Sequence, residues 1–135
     1  MVYITRIEKF SASHRLYNPN LSEEENFNIY GKCANKNGHG HNYTLEITLK
    51  GEIDPKTGYL FDLSLLKKII KQHIIDKVDH KHLNYDVDFL QNIIPTTENL
   101  AVAFWQILSQ HLPKNLLYSV KVYETENNIA EYRGE

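Results

Sequence analysis

The order of hydrophobic patterns along the chain predicts an α+β protein, with a four-stranded antiparallel sheet and two helices packed on one of its faces. Two runs that alternate with a period of two come first, two runs with helical spacing follow, and two further alternating runs end the chain. Strands that are neighbours in sequence usually pair as hairpins. The predicted order is therefore strand, strand, helix, helix, strand, strand (ββααββ) within one domain, residues 1–135.

The first predicted hairpin consists of two long strands. They span Val2 to Phe10 and His39 to Gly51, and an Asp54-Pro55 turn follows the second. In the second strand the odd positions from Tyr43 onward are apolar, so one of its faces is suited to a core. The stretch between the strands, Arg15 to Gly38, is polar and is predicted as a long loop. A loop of that length in a compact domain is more often functional than idle.

Two helices are predicted in the middle of the chain. Asp62 can cap the first, which runs from about Leu63 to Val78 with apolar residues at helical spacing. The second should begin near Pro95-Thr96-Thr97, with a threonine as its cap, and run to Leu112 before Pro113 stops it.

The last part of the chain returns to a period of two. Tyr118, Val120 and Val122 mark the third strand, Glu126-Asn127-Asn128 forms a turn, and Ile129 to Arg133 forms the last strand. Apolar residues lie on both parities of the strand runs. We therefore expect a homo-oligomer in which the sheets of neighbouring copies join edge to edge.

The composition indicates a globular protein without a nucleic-acid or membrane partner. The 135 residues carry a formal net charge of -2, which gives no diffuse basic field for nucleic acid. Charged residues interrupt the first ten positions, so neither a signal peptide nor a membrane span is expected. The single cysteine, Cys33, cannot form an internal disulfide, which favours a reducing, cytoplasmic location.

Three histidines are placed where the first two strands can bring them together. His39 and His41 open the second strand at positions i and i+2, so both rings point to its apolar face. His14 follows the first strand, whose end lies beside the start of the second in an antiparallel pair. Three imidazoles can hold Zn²⁺ and leave its fourth tetrahedral position for a water or a substrate oxygen. The alternative is an ordinary strand start and a surface or core histidine.

Glu124 continues the parity of Val120 and Val122, which places a carboxylate on a face otherwise built from hydrocarbon. Burying that carboxylate without a partner would be costly. Its partner is either a donor from the protein or a ligand that offers an amine and a ring N–H.

A further group of titratable residues follows the first predicted helix, where Asp79, His80 and His82 lie within four positions. An aspartate and a histidine near Cys33 would form a set that activates a thiolate or relays protons. The spacing does not choose between His80 and His82. An inert cysteine and a helix-terminal Asp-His cap are the structural alternative.

Several motifs, taken in order, resemble the 6-pyruvoyltetrahydropterin synthase family over about Ile7 to Glu135. They are Phe10-Ser11-Ala12-Ser13-His14-Arg15-Leu16, Gly31-Lys32-Cys33, Asn37-Gly38-His39-Gly40-His41-Asn42-Tyr43, Gly51-Glu52-Ile53-Asp54-Pro55, Asp79-His80-Lys81, Thr96-Thr97-Glu98-Asn99 and Val122-Tyr123-Glu124-Thr125 with Asn127-Asn128. The resemblance implies the tunnelling fold (T-fold), in which strand pairs and two helices per subunit assemble into a multi-subunit barrel. That assembly is usually a hexamer made of two trimers.

The resemblance also implies a zinc enzyme, a carbon–oxygen lyase acting on phosphates, with one Zn²⁺ per subunit. Its reaction converts 7,8-dihydroneopterin triphosphate to 6-pyruvoyl-5,6,7,8-tetrahydropterin with elimination of triphosphate, in tetrahydrobiopterin biosynthesis. Mg²⁺ is a candidate companion of the triphosphate. Carried over by motif, the functional residues are the zinc ligands His14, His39 and His41, the proton-abstracting Cys33 with its relay partners Asp79 and His80, the pterin anchor Glu124, and the pocket residues Thr96 and Thr97.

Two other functions stay open. One is 6-carboxytetrahydropterin synthase of deazapurine (queuosine) biosynthesis, which shares the zinc triad. Its cysteine usually lies closer to the His-Gly-His pair than the six positions that separate Cys33 from His39 here. The other, from a different class, is a non-catalytic, zinc-stabilised assembly module.

The predicted loop from Arg15 to Gly38 has two further features. The candidate cations for the triphosphate are Arg15, Lys32 and Lys36. Ala34-Asn35-Lys36 departs from the Asn-Asn-Pro that commonly follows the cysteine in the family, although it touches none of the residues with an implied role.

Overall fold

A five-stranded sheet forms the centre of the computed structural model, which describes residues 1–135. Its strands are Val2–His14 (β1), His39–Gly51 (β2), Lys81–His82 (β3), Leu117–Tyr123 (β4) and Ile129–Tyr132 (β5). They lie in the order β3-β1-β2-β4-β5, and every pair is antiparallel except β1 with β3. The α+β class is confirmed, but the prediction of four wholly antiparallel strands was wrong. A strand of two residues, such as β3, is too short to show periodicity in the sequence.

The helices are Glu23–Tyr30 (α1), Leu63–Ile70 (α2), Asp76–Val78 (α3) and Thr97–Ser109 (α4). A π-helical segment, Lys71–Ile75, joins α2 to α3, so the predicted helix from Leu63 to Val78 contains one stretch of wider turn. Thr96 caps α4, as the Thr-Thr pair predicted. Short 3₁₀ segments occupy Gly31–Ala34 and Asp88–Leu90.

The prediction of an unstructured loop from Arg15 to Gly38 was wrong, because this stretch contains α1. The Oγ atom of Ser22 accepts a hydrogen bond from the Glu25 N–H, and the Ser22 N–H donates to the Glu25 carboxylate, each at 3.1 Å. This reciprocal capping box satisfies two of the donors that a helix start leaves free. Three acidic residues in the first turn also favour the positive end of the helix dipole.

One hydrophobic core joins the sheet to both long helices. A cluster of 21 buried apolar residues contains the odd positions of β2 from Tyr43 to Leu49, both buried valines of β4, and the inner faces of α2 and α4. Because α2 and α4 share this cluster, they cover the same face of the sheet. None of the helices has the length and apolar character that a membrane crossing requires.

The pairing of β1 with β2 determines where the histidines lie. The two strands pair along their whole lengths, from Val2 opposite Gly51 to His14 opposite His39. β1 therefore extends four residues beyond the predicted end at Phe10, and those residues carry it to the start of β2.

Candidate metal centre

Three imidazole rings meet where β1 ends and β2 begins. His14 and His39 are directly opposite each other in the antiparallel ladder, and His41 lies two residues further along β2. All three project to the core face, because residues i and i+2 of a strand share a face and paired residues share it across the ladder. Their candidate ligand atoms lie within 4.8 Å of one another.

The spacing of the rings suits a single metal ion. The Nε2 atoms of His14 and His39 are 3.3 Å apart. Two nitrogen ligands that each lie about 2.0–2.1 Å from a tetrahedral Zn²⁺ are separated by roughly 3.4 Å. The ring centroids of the three histidines are 4.8 to 5.1 Å apart, and the planes cross at 69° to 88°. The three rings are therefore not stacked on one another.

A backbone carbonyl orients the His14 ring. His14 is fully buried, and its Nδ1 lies 2.8 Å from the Pro95 carbonyl oxygen. A carbonyl only accepts, so Nδ1 carries the proton and the Nε2 lone pair faces the other two rings. The Tyr43 hydroxyl lies 3.3 Å from the same Nδ1. Burial, and then the Glu124 charge, raise the pKa of Tyr43, so this phenol stays protonated.

His41 supplies independent evidence that the centre accepts a ligand. Its Nε2 atom is buried and has no hydrogen-bond partner, and a buried polar atom without a partner is costly. Burial is the main cause that lowers the pKa values of His14 and His41. Burial thus favours the neutral form of these two rings, which is the form that binds metal. Three imidazoles are a donor set that fits Zn²⁺.

The metal-free protein is expected to lose stability as the pH falls below about 7. Four histidines have pKa values below the ordinary value of 6.5, mainly because folding removes their rings from water. They are His14, His41, His73 and His82. Just below pH 6.5 the unfolded chain therefore binds more protons than the folded chain, so the free energy of unfolding decreases as the pH falls. Urea unfolding of metal-free protein near pH 7.5 and near pH 5.5 measures this. An equal or higher midpoint at the lower pH contradicts it.

Glu124 borders the metal centre on the side of His14 and His41. One carboxylate oxygen is 3.8 Å from the His14 Nε2 and the other is 3.8 Å from the His41 Nε2. The Thr97 hydroxyl donates a 3.2 Å hydrogen bond to the first oxygen. Glu124 does not join the set of mutually close ligand atoms. The protein donor that the sequence left as one option is therefore present, and it leaves carboxylate lone pairs for a ligand.

The two threonines at the start of α4 have different surroundings. Thr97 is buried, and its hydroxyl donates to Glu124. Thr96 uses its hydroxyl to accept from the Asn99 N–H at 3.1 Å, which caps the helix. The structure thus gives Thr97 a direct connection to the centre and Thr96 a structural contact. The implied pterin contacts of both residues stay predictions.

Asp79 and His80 form a pair beside β1. The His80 Nδ1 is 3.1 Å from an Asp79 carboxylate oxygen, and that oxygen also accepts from the Ser11 N–H at 2.9 Å. The Ser11 hydrogen bond is the main cause that lowers the Asp79 pKa, so the carboxylate stays ionised. His80 has a φ of 60° and an exposed ring. Non-glycine residues are uncommon in this conformation, and it recurs at functional sites.

Cys33 lies on a different segment from that pair. It belongs to the 3₁₀ segment that follows α1, and its carbonyl accepts from the Leu16 N–H at 2.8 Å. The half-buried thiol has no hydrogen bond to Asp79 or to His80. No hydrogen bond within the chain therefore joins Cys33 to its implied relay partners, and their shared role stays a prediction.

Several residues around the centre were not predicted to act there. The Pro95 carbonyl has no sequence signature, since any residue offers the same group. Tyr43 was assigned only to the apolar face. Its position two residues beyond His41, with the same parity, was the signal that could have placed its hydroxyl near the rings.

The chain is similar to proteins of known name along nearly its whole length. It is 52% identical to the 6-pyruvoyl tetrahydrobiopterin synthase of Homo sapiens over 132 residues, which are 98% of this chain and 91% of that protein. It is 51% identical to the 6-pyruvoyl tetrahydrobiopterin synthase of Dictyostelium discoideum over 134 residues, 99% of this chain and 97% of that protein.

Solved structures show the same fold. The Caenorhabditis elegans 6-pyruvoyl tetrahydropterin synthase superposes with a TM-score of 0.94 at 41% identity, covering 99% of this chain and 96% of that one. The Plasmodium falciparum protein of the same name, at 16% identity and a TM-score of 0.67 over 97% and 96% of the two chains, supports the fold alone. The family model described as 6-pyruvoyl tetrahydropterin synthase matches residues 3–135. This chain therefore belongs to the 6-pyruvoyl tetrahydropterin synthase family.

Proposed function

We propose that this protein is a zinc-dependent 6-pyruvoyltetrahydropterin synthase. It converts 7,8-dihydroneopterin triphosphate to 6-pyruvoyl-5,6,7,8-tetrahydropterin and eliminates triphosphate, which makes it a lyase of tetrahydrobiopterin biosynthesis. The observation that carries the proposal is the three-histidine centre with the Glu124 carboxylate beside it. Relatives that share about half of its residues carry the name of this enzyme.

The proposal includes the form in which the enzyme works. Residues 1–135 act as one tunnelling-fold domain in the cytoplasm, and the sheets of neighbouring subunits join edge to edge in a barrel, with two trimers forming a hexamer. β1 supports this assembly, because only Ala12 and Ser13 of its thirteen residues pair with β3. The rest of that edge offers free backbone groups to another strand.

Glu124 binds the pterin ring in this proposal. An ionised carboxylate accepts two parallel hydrogen bonds from the amine and the ring N–H of a heterocycle. The Thr97 hydroxyl already donates to one carboxylate oxygen and so limits the rotation of the group. The reacting side chain of the substrate then extends from the ring toward His14 and His41, each 3.8 Å from the carboxylate.

His14, His39 and His41 would hold the metal. A bound Zn²⁺ supplies Lewis acidity, which makes the O–H and C–H protons of a bound diol side chain more acidic. The residues of the chain then hold and move those protons: Cys33 abstracts a proton from carbon, and Asp79 keeps the His80 ring oriented as its relay partner. No redox cofactor is required, since oxidation of the side chain and reduction of the ring occur within one molecule.

The Cys33 step needs more than the arrangement within one chain. The thiol and the Asp79–His80 pair lie on separate segments without a hydrogen bond between them. Proton transfer between them therefore needs a bridging water, a rearrangement of the chain or a second subunit that contributes one of the two parts.

The direct test is incubation of the purified protein with 7,8-dihydroneopterin triphosphate, with and without a strong chelator, followed by mass analysis of the product. We expect triphosphate and a product with the mass of 6-pyruvoyl-tetrahydropterin, and loss of both after chelation and dialysis. Restored activity on adding Zn²⁺ completes the test. A carboxy-tetrahydropterin product, or turnover that chelation does not affect, contradicts the proposal.

Glu124→Gln is expected to weaken pterin binding. A glutamine amide has one accepting oxygen and an NH₂ group that faces the donors of the substrate, so one charge-assisted hydrogen bond is lost. Such bonds contribute about 1.5–3 kcal/mol, so we expect KM to rise roughly 10- to 100-fold. Glu126→Gln, an exposed residue two positions further, is the matched control. Equal KM values for Glu124→Gln and the control contradict the pterin-anchoring role.

A further inference from the structure

The segment that follows α3 contacts both strand ends that carry the histidines. The Asn84 side chain forms two hydrogen bonds with the backbone of Arg15, the residue after His14. Its Oδ1 accepts from the Arg15 N–H at 2.8 Å, and its Nδ2 donates to the Arg15 carbonyl at 2.8 Å. One amide thus satisfies both backbone groups of one residue. The path of the chain directly beyond His14 is fixed by this pair of bonds.

The turn before His39 is equally confined. Gly38 has a φ of +74°, and a Cβ built there would lie 2.5 Å from the His14 carbonyl oxygen and 3.1 Å from the His82 Nε2. The backbone at Gly38 therefore lies between the end of β1 and the His82 ring. Only glycine combines this positive φ with such close contacts. The position of His39, the next residue, depends on that packing.

The segment is itself held firmly in place. The Leu83 N–H donates to the Ser13 carbonyl at 2.8 Å, next to the parallel pair of β3 with β1. The His82 Nδ1 accepts from the Asn84 N–H at 3.3 Å, which leaves the proton on Nε2. The His82 ring also stacks on Tyr85 with centroids 4.5 Å apart. His82 and Asn84 are therefore fixed relative to each other and to β1.

We propose that His82 and Asn84 are positioning residues of the metal centre, which set the distance between His14 and His39 by holding the residues next to them. His82 and Asn84 together form a ligand brace. The inference rests on the proposed zinc site. It gives a function to His82, which the sequence left as an alternative to His80.

If the brace holds the ligands in place, removing either of its residues should weaken zinc retention more than it lowers the stability of the fold. Partners that orient metal ligands typically change metal affinity or activity by about 10- to 100-fold when removed. Asn84→Ala removes both bonds to Arg15, and His82→Ala removes the ring packed on Gly38. We expect each variant to release Zn²⁺ at least about tenfold faster than the unmodified protein.

Asn26→Ala is the matched control. Asn26 is a buried amide in the same insertion between β1 and β2, and its side chain bonds the backbone of Asn18, Leu21 and Ser22. It thus has a comparable structural role without touching a residue next to a histidine ligand. We expect Asn26→Ala to lower the thermal midpoint while the release of Zn²⁺ stays unchanged.

The experiment uses the zinc-loaded full chain and follows transfer of Zn²⁺ to a chromogenic chelator well below the unfolding temperature. The visible spectrum of the Co²⁺-substituted protein reports the ligand geometry, and thermal unfolding of the metal-free form reports stability. Faster release with an altered Co²⁺ spectrum in Asn84→Ala and His82→Ala, but not in Asn26→Ala, supports the brace. Asn84→Asp, which keeps only the acceptor for the Arg15 N–H, should be intermediate. Asn84→Asp and His82→Gln replace the alanine variants if those do not fold.

Two outcomes overturn the inference and are distinguishable. If the unmodified protein binds zinc and turns over substrate while all brace variants release Zn²⁺ like Asn26→Ala, the brace is wrong and the proposed function stands. If the unmodified protein binds no zinc, the proposed metal centre is wrong and the brace is wrong with it.

Discussion

His41→Ala is expected to give a folded protein that neither retains zinc nor forms product. The substitution removes one of three imidazoles and leaves two, too few for the three protein ligands of a catalytic zinc site. Removing a residue that only orients a metal ligand typically lowers metal affinity or activity by about 10- to 100-fold. Removing a ligand itself should have a larger effect, so we expect affinity for Zn²⁺ to fall by more than about 100-fold. His41 is the best of the three to replace, because its Nε2 has no hydrogen bond to lose. His14 would also lose its bond to Pro95.

Zinc per subunit, measured by metal analysis after dialysis, and the rate of triphosphate release check this prediction. His111→Ala is the control, since His111 stacks on His73 at 3.5 Å outside the centre. The control should keep one zinc and full turnover. A folded His41→Ala protein with stoichiometric zinc shows that His41 is not a ligand.

The meeting of the three rings could be predicted because it depends on two local rules. Alternation along β2 places His39 and His41 on one face, and the antiparallel register brings His14 opposite His39. Neither rule requires knowledge of the helices. The same alternation placed Glu124 on the core face of the sheet, and the structure adds that Thr97 is its donor.

What the sequence did not predict comes mostly from contacts between distant segments. β3 is two residues long and has no period to detect, although it holds the ligand brace next to β1. Pro95 acts through its backbone carbonyl, a group that has no sequence signature. α1 is different, because the Ser22 and Glu25 capping box is visible in the sequence, within a polar stretch that was predicted as a loop.

The position of Cys33 separates the two halves of the proposed chemistry. In the proposal, zinc binding and pterin anchoring use residues that one chain brings together, namely the three histidines, Glu124 and Thr97. In the proposal, proton transfer uses Cys33 and the Asp79–His80 pair, which lie on separate segments that no hydrogen bond joins. Some substitutions should therefore change turnover without changing binding. We expect the largest difference between the two effects at Cys33.

Cys33→Ala is expected to bind zinc and substrate normally and to lose product formation. The thiol makes no hydrogen bond within the chain and is only half buried, so its removal should leave the fold unchanged. Removing a group that transfers a proton in the transition state typically costs about 10²- to 10⁴-fold in rate, and we expect turnover to fall in that range.

The measurement for Cys33→Ala combines zinc content, equilibrium binding of a non-reactive pterin and the rate of triphosphate release. Asn35→Ala, an exposed neighbour without a side-chain hydrogen bond, tests whether any change in this loop slows the enzyme. Cys33→Ser should be nearly as slow as Cys33→Ala, because a serine hydroxyl is a far weaker acid than a thiol and does not supply an anionic base. An unimpaired rate in Cys33→Ala removes the thiol from the mechanism while the metal centre stands. Loss of zinc or of pterin binding instead means that Cys33 supports the site rather than the chemistry.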